Sequence, residues 1–131
     1  MGIHRLQHTS IPMPSGGKPE AQRFYTEVMG LEQIPTPSSL DASRIVWFSV
    51  SDDGDELHLY TEDGFRSDTN GQHLCLVVDD LDTMRAVIES DGIEIHHEPE
   101  IAFRPRFSFR DPFGNKIEIT EIRGNYLDAE V

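Results

Sequence analysis

An internal repeat constrains the fold of this chain more than any other feature of its sequence. Residues 47–60 align with residues 107–120 at a constant shift of 60, which places His58 on Glu118. A second alignment, at a shift of 65, joins two short segments, 8–11 and 73–76. The sequence therefore predicts two copies of one supersecondary unit, with the extra residues of the first copy in its loops.

Each copy has the pattern strand, helix, strand, strand, strand, which predicts an α+β fold of two tandem βαβββ modules within one domain, 1–131. The first module is expected at 4–61, with strands at 6–11, 31–34, 44–50 and 56–61 and a helix from Pro19 to Gly30. The second is expected at 73–122, with strands at 73–78, 93–97, 106–110 and 116–122 and a helix between Asp80 and Gly92. The polar segment 62–72 is predicted to be a linker, and 123–131 a tail.

Alternation along the strands predicts which side chains share a face of each sheet. Leucine and isoleucine residues alternate with His58 in one strand and with Glu118 in its counterpart. We call the side that carries these two residues the ligand face. The same alternation assigns further side chains to it: Glu56, Tyr60, His73, Cys75, Arg106, Ser108 and Arg110, and, in the third strand, Arg44, Val46 and Phe48.

The repeat supports the hypothesis of a metal site, because candidate ligands occur at equivalent positions of its two copies. His8 and His73 occupy equivalent places, as do His58 and Glu118, and imidazole and carboxylate groups suit a divalent ion. Each residue alone has a simpler explanation, because a single strand histidine is more often hydrogen-bonded or on the surface. Glu118 could likewise be the solvated side of an edge strand, and Cys75 reads as a small buried residue.

Charge and composition limit the partners and the location. The chain has 24 acidic and 11 basic residues, a net charge of −13, which disfavours binding to nucleic acid. Its apolar stretches are too short to span a membrane, and its start lacks an apolar signal core. A single cysteine suits a reducing compartment. We therefore expect a cytoplasmic protein that binds neither nucleic acid nor membranes.

The sequence also resembles the vicinal-oxygen-chelate superfamily, the glyoxalase/bleomycin resistance protein/dioxygenase family, over about residues 4–122. The resemblance lies in four segments: His8-Thr-Ser-Ile, Phe24-Tyr25, Gly30-Leu31 and Asp111-Pro-Phe-Gly-Asn-Lys-Ile-Glu118. It implies an eight-stranded open cup, commonly completed in a homodimer. It also implies one divalent ion (zinc, nickel, manganese, cobalt or iron) held by His8, His58, His73 and Glu118, with Glu118 able to act as a base.

The resemblance includes departures that bear on the activity. Bacterial glyoxalase I has a carboxylate at the place of His58, and methylmalonyl-CoA epimerase typically has an amide. Extradiol dioxygenases need only the equivalents of His8, His73 and Glu118, but they also have a tyrosine at the place of Ser108. They have an upstream histidine that residues 99–101 do not supply. Bleomycin-resistance proteins lack the metal ligands altogether.

Three functions remain open at this point. The first is a metal-dependent lyase, isomerase or thiol transferase of glyoxalase I type, with Glu118 and Tyr60 as catalytic residues. It would chelate a small anionic substrate contacted by Arg44, Phe48, Arg106, Ser108 and Arg110, since arginine binds carboxylate and phosphate at two points. The second is an extradiol iron dioxygenase. The third is a binding protein for a small molecule or drug, without turnover.

Overall fold

A computed structural model describes residues 1–67 and 70–130 of the chain. Contacts divide the chain into two compact units between residues 67 and 68. This division falls inside the segment 62–72 that the sequence predicts as a linker. Within the described residues, no helix is both long and apolar enough to cross a membrane.

The first unit is one four-stranded sheet with a helix. Its strands are β1 (His8–Met13), β2 (Glu32–Ile34), β3 (Ile45–Ser49) and β4 (Glu56–Thr61), in the order β1-β4-β3-β2. Its helix, α1 (Lys18–Arg23), has proline in its first turn and continues as a π-helical turn, Phe24–Val28. Gly30 then adopts a φ of 75°, a conformation that favours glycine, and the chain leaves the helix there.

The second unit repeats this arrangement. Its strands are β5 (His73–Val77), β6 (His96–His97), β7 (Arg106–Arg110) and β8 (Lys116–Thr120), in the order β5-β8-β7-β6. Its helix, α2 (Leu81–Ser90), begins where the Asp80 side chain accepts a bond from the Thr83 amide. A short 3₁₀ helix, Tyr126–Ala129, lies in the predicted tail.

The two sheets have the same strand order and the same register. In both, the first strand pairs in parallel with the fourth, and the fourth pairs antiparallel with the third. Ser10 lies opposite His58 in the first sheet, and Cys75 lies opposite Glu118 in the second. The prediction of two βαβββ modules is therefore confirmed, and His58 and Glu118 occupy equivalent positions.

Each unit buries the apolar face of its own sheet. In the first unit the Tyr25 ring, from the helical segment, lies 5.4 Å from the Phe48 ring of β3. In the second unit the buried apolar residues alternate along β7 and β8 with polar ones: Phe107, Phe109, Ile117 and Ile119. Ile88 of α2 is buried as well, whereas its neighbour Val87 is exposed.

The predicted faces of β3 are wrong. Trp47 pairs with His58, and Phe48 pairs with Leu57, so Trp47 occupies the ligand face and Phe48 the apolar one. Phe48 and Val46 are fully buried. The Arg44 guanidinium, also expected on the ligand face, pairs with Asp63 at 3.1 Å.

The cause of this error is one additional loop residue. The loop between β3 and β4 comprises residues 50–55, whereas its counterpart between β7 and β8 comprises 111–115. The repeat therefore has a shift of 61 in β3 and of 60 in β4, rather than 60 throughout. Because side chains alternate along a strand, a slip of one residue exchanges the two faces.

Alanine substitutions at two adjacent positions test this register. We expect Phe48→Ala to lower the free energy of unfolding by about 3–5 kcal/mol, since a fully buried ring is lost from the core. Trp47→Ala should cost less, because the indole is partly exposed and contacts His58. Denaturant unfolding of both variants gives the comparison, and a larger loss for Trp47→Ala would contradict the assigned faces.

Candidate functional site

Three flat side chains stack on the ligand face of the first unit. The His58 ring lies 4.2 Å from the His8 ring, at an interplanar angle of 16°. On its other side it lies 3.8 Å from the Trp47 ring, at 2°. The parallel pairing of β1 with β4 and the antiparallel pairing of β3 with β4 bring these three residues together.

His58 is held by its neighbours and largely removed from water. Its exposed fraction is 7%, and its Nε2 lies 2.8 Å from Glu56 Oε1, where the carboxylate accepts the bond. Burial lowers the pKa of His58 below its ordinary value of 6.5, and this outweighs the opposing effect of Glu56. The hydrogen bond from His58 in turn lowers the pKa of Glu56. His58 is therefore a neutral imidazole at neutral pH.

His8 is exposed, and the structure indicates its tautomer. Its Nδ1 lies 2.6 Å from Gln7 Oε1, an amide oxygen that can only accept. With the proton on Nδ1, the neutral ring has its lone pair on Nε2. His8 therefore has a nitrogen suited to a metal ion.

The ligand face of the second unit brings His73 and Glu118 together. His73 Nε2 lies 3.7 Å from Glu118 Oε1. His73 Nδ1 donates to the Gly71 carbonyl over 2.8 Å, so the neutral ring presents its Nε2 lone pair to the carboxylate. Two donors, each about 2.1 Å from one ion, lie roughly 3.0–3.4 Å apart, so a small approach fits both to a metal.

Glu118 also accepts bonds from two neighbouring side chains. Arg106 Nη1 donates to Oε1 over 2.6 Å, and Cys75 Sγ donates to Oε2 over 3.0 Å. Partial burial, together with the hydrogen bond and charge of Glu118, raises the pKa of the Cys75 thiol to about 12. Although its thiol is partly shielded, Cys75 as a residue is exposed, so its interpretation as a small buried residue is wrong.

The remaining predicted site residues differ in their surroundings. Ser108 lies opposite Glu118 in the sheet, and its hydroxyl donates to Glu98 over 2.7 Å. Arg110 lies on the same face and donates to the carbonyls of Gly114 and Asn70. In the first unit, Tyr60 is partly exposed and shares the face of His58.

Sequence patterns do not predict the roles of three residues that contact the site. The slip in the repeat assigns Trp47 to the wrong face. Alternation places Glu56 on the ligand face, two residues before His58, but predicts no role for it. Glu98, which also pairs with Lys116 at 3.1 Å, follows a two-residue strand and gave no periodic signal.

Each unit thus brings together one pair of the predicted ligands: His8 with His58, and His73 with Glu118. A group of three or more histidine, cysteine or acidic residues placed to hold an ion does not occur among residues 1–67 and 70–130.

Comparisons with known proteins give the family. The sequence profile of the Glyoxalase/Bleomycin resistance protein/Dioxygenase superfamily matches residues 5–119. The chain belongs to this superfamily. A glyoxalase family protein from Bacillus anthracis is 30% identical, with a TM-score of 0.84 over 93% of this chain and 98% of that one. No curated protein matches the chain.

Two further solved structures of similar fold are named as an enzyme and as a binding protein. A lactoylglutathione lyase from Agrobacterium tumefaciens is 22% identical, with a TM-score of 0.69 over 92% of this chain and 96% of that one. An antibiotic-binding protein from Streptomyces sp. CB03234 is 25% identical, with a TM-score of 0.65 over 93% and 98%. Superfamily members commonly use a divalent metal, and some of them bind small molecules without catalysis.

The pKa of His58 gives a direct test of its environment. In metal-free protein we expect the His58 imidazole to titrate below 6.5, because burial disfavours the charged ring. Since the unfolded chain binds this proton more readily, the contribution of His58 to stability should be present above pH 6.5 and lost as the pH falls through its folded pKa. NMR titration of the histidine ring protons measures the midpoint. A midpoint for His58 at or above 6.5 would contradict the described packing.

Proposed function

We propose that this chain is a divalent-metal-dependent enzyme of glyoxalase I-like type, a lyase, isomerase or thiol transferase. In this proposal the ligands of the ion are those expected from the sequence: His8, His58, His73 and Glu118. The observation that carries the proposal is the His73–Glu118 pair, in which the Gly71 carbonyl fixes the histidine tautomer. Such a bond behind the ligating nitrogen is typical of metal-binding histidines.

The bound ion would act as a Lewis acid, stabilising negative charge on two oxygens of the substrate. Glu118 would serve both as a ligand and as the base that accepts a proton from the substrate at a carboxylate oxygen. Tyr60, on the ligand face with His58, would orient the substrate through its hydroxyl. In the second unit Ser108, which lies opposite Glu118 and donates to Glu98, would line the ligand face beside Glu118.

The case for an anionic substrate now depends on fewer residues. Arg44 pairs with Asp63, and Arg106 pairs with Glu118, so both have acidic partners within the chain. Arg110 lies on the ligand face, two residues after Ser108 along β7. We therefore keep Arg110 in the proposal as a residue that contacts an anionic group of the substrate. A homodimer, which is frequent in the superfamily, remains part of the proposal.

A binding protein without turnover is the second candidate. The stacked rings of His8, His58 and Trp47 offer aromatic surface on the ligand face, which suits a planar ligand. The hydrogen bond of His58 to Glu56 also occupies Nε2, one of the two ring nitrogens through which this histidine could bind a metal. The antibiotic-binding relative from Streptomyces belongs to the same structural class.

Metal titration of four single variants tests the ligand set. Each of His8→Ala, His58→Ala, His73→Ala and Glu118→Gln should weaken zinc binding by more than the 10- to 100-fold that loss of a residue behind the ligands typically costs. His4→Ala, which removes an exposed histidine outside the strands, is the matched control and should leave the affinity unchanged. Calorimetry on metal-free protein measures all five proteins against the parent.

The outcomes separate the ligand models. Unchanged affinity in His58→Ala, with loss in the other three, would reduce the site to a three-ligand triad. In that case the next assay would be oxygen uptake by the iron-loaded protein with catechol substrates. If the parent protein binds an ion but its metal-loaded form shows no lactoylglutathione lyase or related isomerase activity, the proposal of a glyoxalase-like activity is wrong. Unchanged affinity in all four variants would exclude this ligand set and favour the binding protein.

A further inference from the structure

Glu118 is a buried carboxylate that the protein itself neutralises. Its exposed fraction is 8%, and Arg106 Nη1 donates to its Oε1 over 2.6 Å. A carboxylate removed from water without a partner is strongly destabilising, and an arginine in contact offsets that cost. Arg106 is therefore the counter-charge of Glu118 in the metal-free chain.

The guanidinium of Arg106 is fixed at more than this one point. Its Nε and Nη2 both donate to the Pro99 carbonyl, over 3.1 and 2.8 Å. Its side chain is only 16% exposed. Because the guanidinium is planar and rigid, the two bonds to Pro99 set the direction of Nη1 toward Glu118.

Arg106 and His73 converge on the same oxygen. His73 Nε2 lies 3.7 Å from Glu118 Oε1, the atom that already accepts from Arg106. An ion bound between His73 and this oxygen would meet the positive charge of Arg106 at short range. A metal ion and a guanidinium that both contact one carboxylate oxygen repel each other strongly where water is largely excluded.

We propose that Arg106 is an internal counter-ion that competes with the metal for Glu118, so that an ion binds only by displacing it. This inference rests on the proposed function, since it takes Glu118 as a metal ligand. It assigns Arg106 the regulation of metal affinity in place of the substrate-binding role expected from the sequence. Competition with Arg106 lowers the affinity of the site for every divalent ion. The ions that bind nitrogen–oxygen sites weakly are therefore the first to be excluded from it.

Zinc titration of arginine variants tests the competition. Relative to the parent protein, Arg106→Met should bind zinc about tenfold more tightly or better, because the competing charge is gone. Arg106→Gln should show a smaller gain, since its amide can still donate to Glu118, and it keeps the experiment decisive if the methionine variant fails to fold. Arg123→Met is the control: it removes the same charge from an exposed residue, whose guanidinium pairs with Glu121 at 3.0 Å, and should leave the affinity nearly unchanged.

Thermal unfolding of metal-free protein gives a second readout. Arg106→Met should lower the melting temperature, because it leaves the Glu118 carboxylate without its counter-charge. Adding Glu118→Gln to this variant should recover part of the loss, since a neutral amide needs no ion partner. Absence of any recovery would overturn the counter-ion role independently of metal.

The titration distinguishes this inference from the proposed function. The inference would be overturned if the parent protein binds zinc and both Arg106 variants bind it equally tightly or more weakly. The proposed function would still stand in that case. Binding by the Arg106 variants alone would support the inference and exclude a metal enzyme in the natural chain. Absence of binding in every protein would show both to be wrong.

Discussion

The parallel pairing of the first strand with the fourth determines what each module of this protein can do. In both modules this pairing has the same register, so Ser10 lies opposite His58 and Cys75 lies opposite Glu118. The pairing also brings His8 beside His58 and His73 beside Glu118. A slip of one residue would turn these groups into the apolar face and expose the leucine and isoleucine residues that hold the helix.

The two modules share this strand pairing but differ in the side chains at equivalent positions. In the first, His58 lies between two rings, and its burial keeps it neutral although it donates to the Glu56 carboxylate. In the second, Glu118 is charged and buried, and it is held by an arginine and a thiol. The equivalent positions thus carry a neutral nitrogen donor and a charged oxygen donor, a combination that suits a borderline divalent ion.

The fold can be predicted from the sequence because the residue patterns that mark the strands and helices are periodic. Alternation of leucine and isoleucine with polar residues marks β4 and β8, proline and glycine mark the ends of α1, and the repeat predicts two copies of each. The ligand face could be predicted wherever a strand contains its own alternation. It could not be predicted for Trp47 and Phe48, because that strand was oriented by a repeat in which one loop had an unrecognised extra residue.

The side-chain partners of the site could not be predicted for a different reason. The contacts of Glu118 with Arg106 and of Trp47 with His58 join residues on neighbouring strands, and the choice of partner depends on rotamers and register together. Glu98 reaches Ser108 from beyond a two-residue strand, where periodicity carries no information. A sequence pattern therefore identified the candidate ligands but not the groups that hold them.

The metal content of the isolated protein tests the central claim most directly. Elemental analysis of protein purified without a metal affinity column should find a divalent transition metal at about one ion per chain, as expected for a site of histidine and carboxylate ligands. Parallel analysis of Glu118→Gln, purified in the same way, should find a large loss of this metal. A parent protein that is metal-free as isolated and still takes up no ion from a mixture of zinc, nickel, cobalt, manganese and iron would contradict the account.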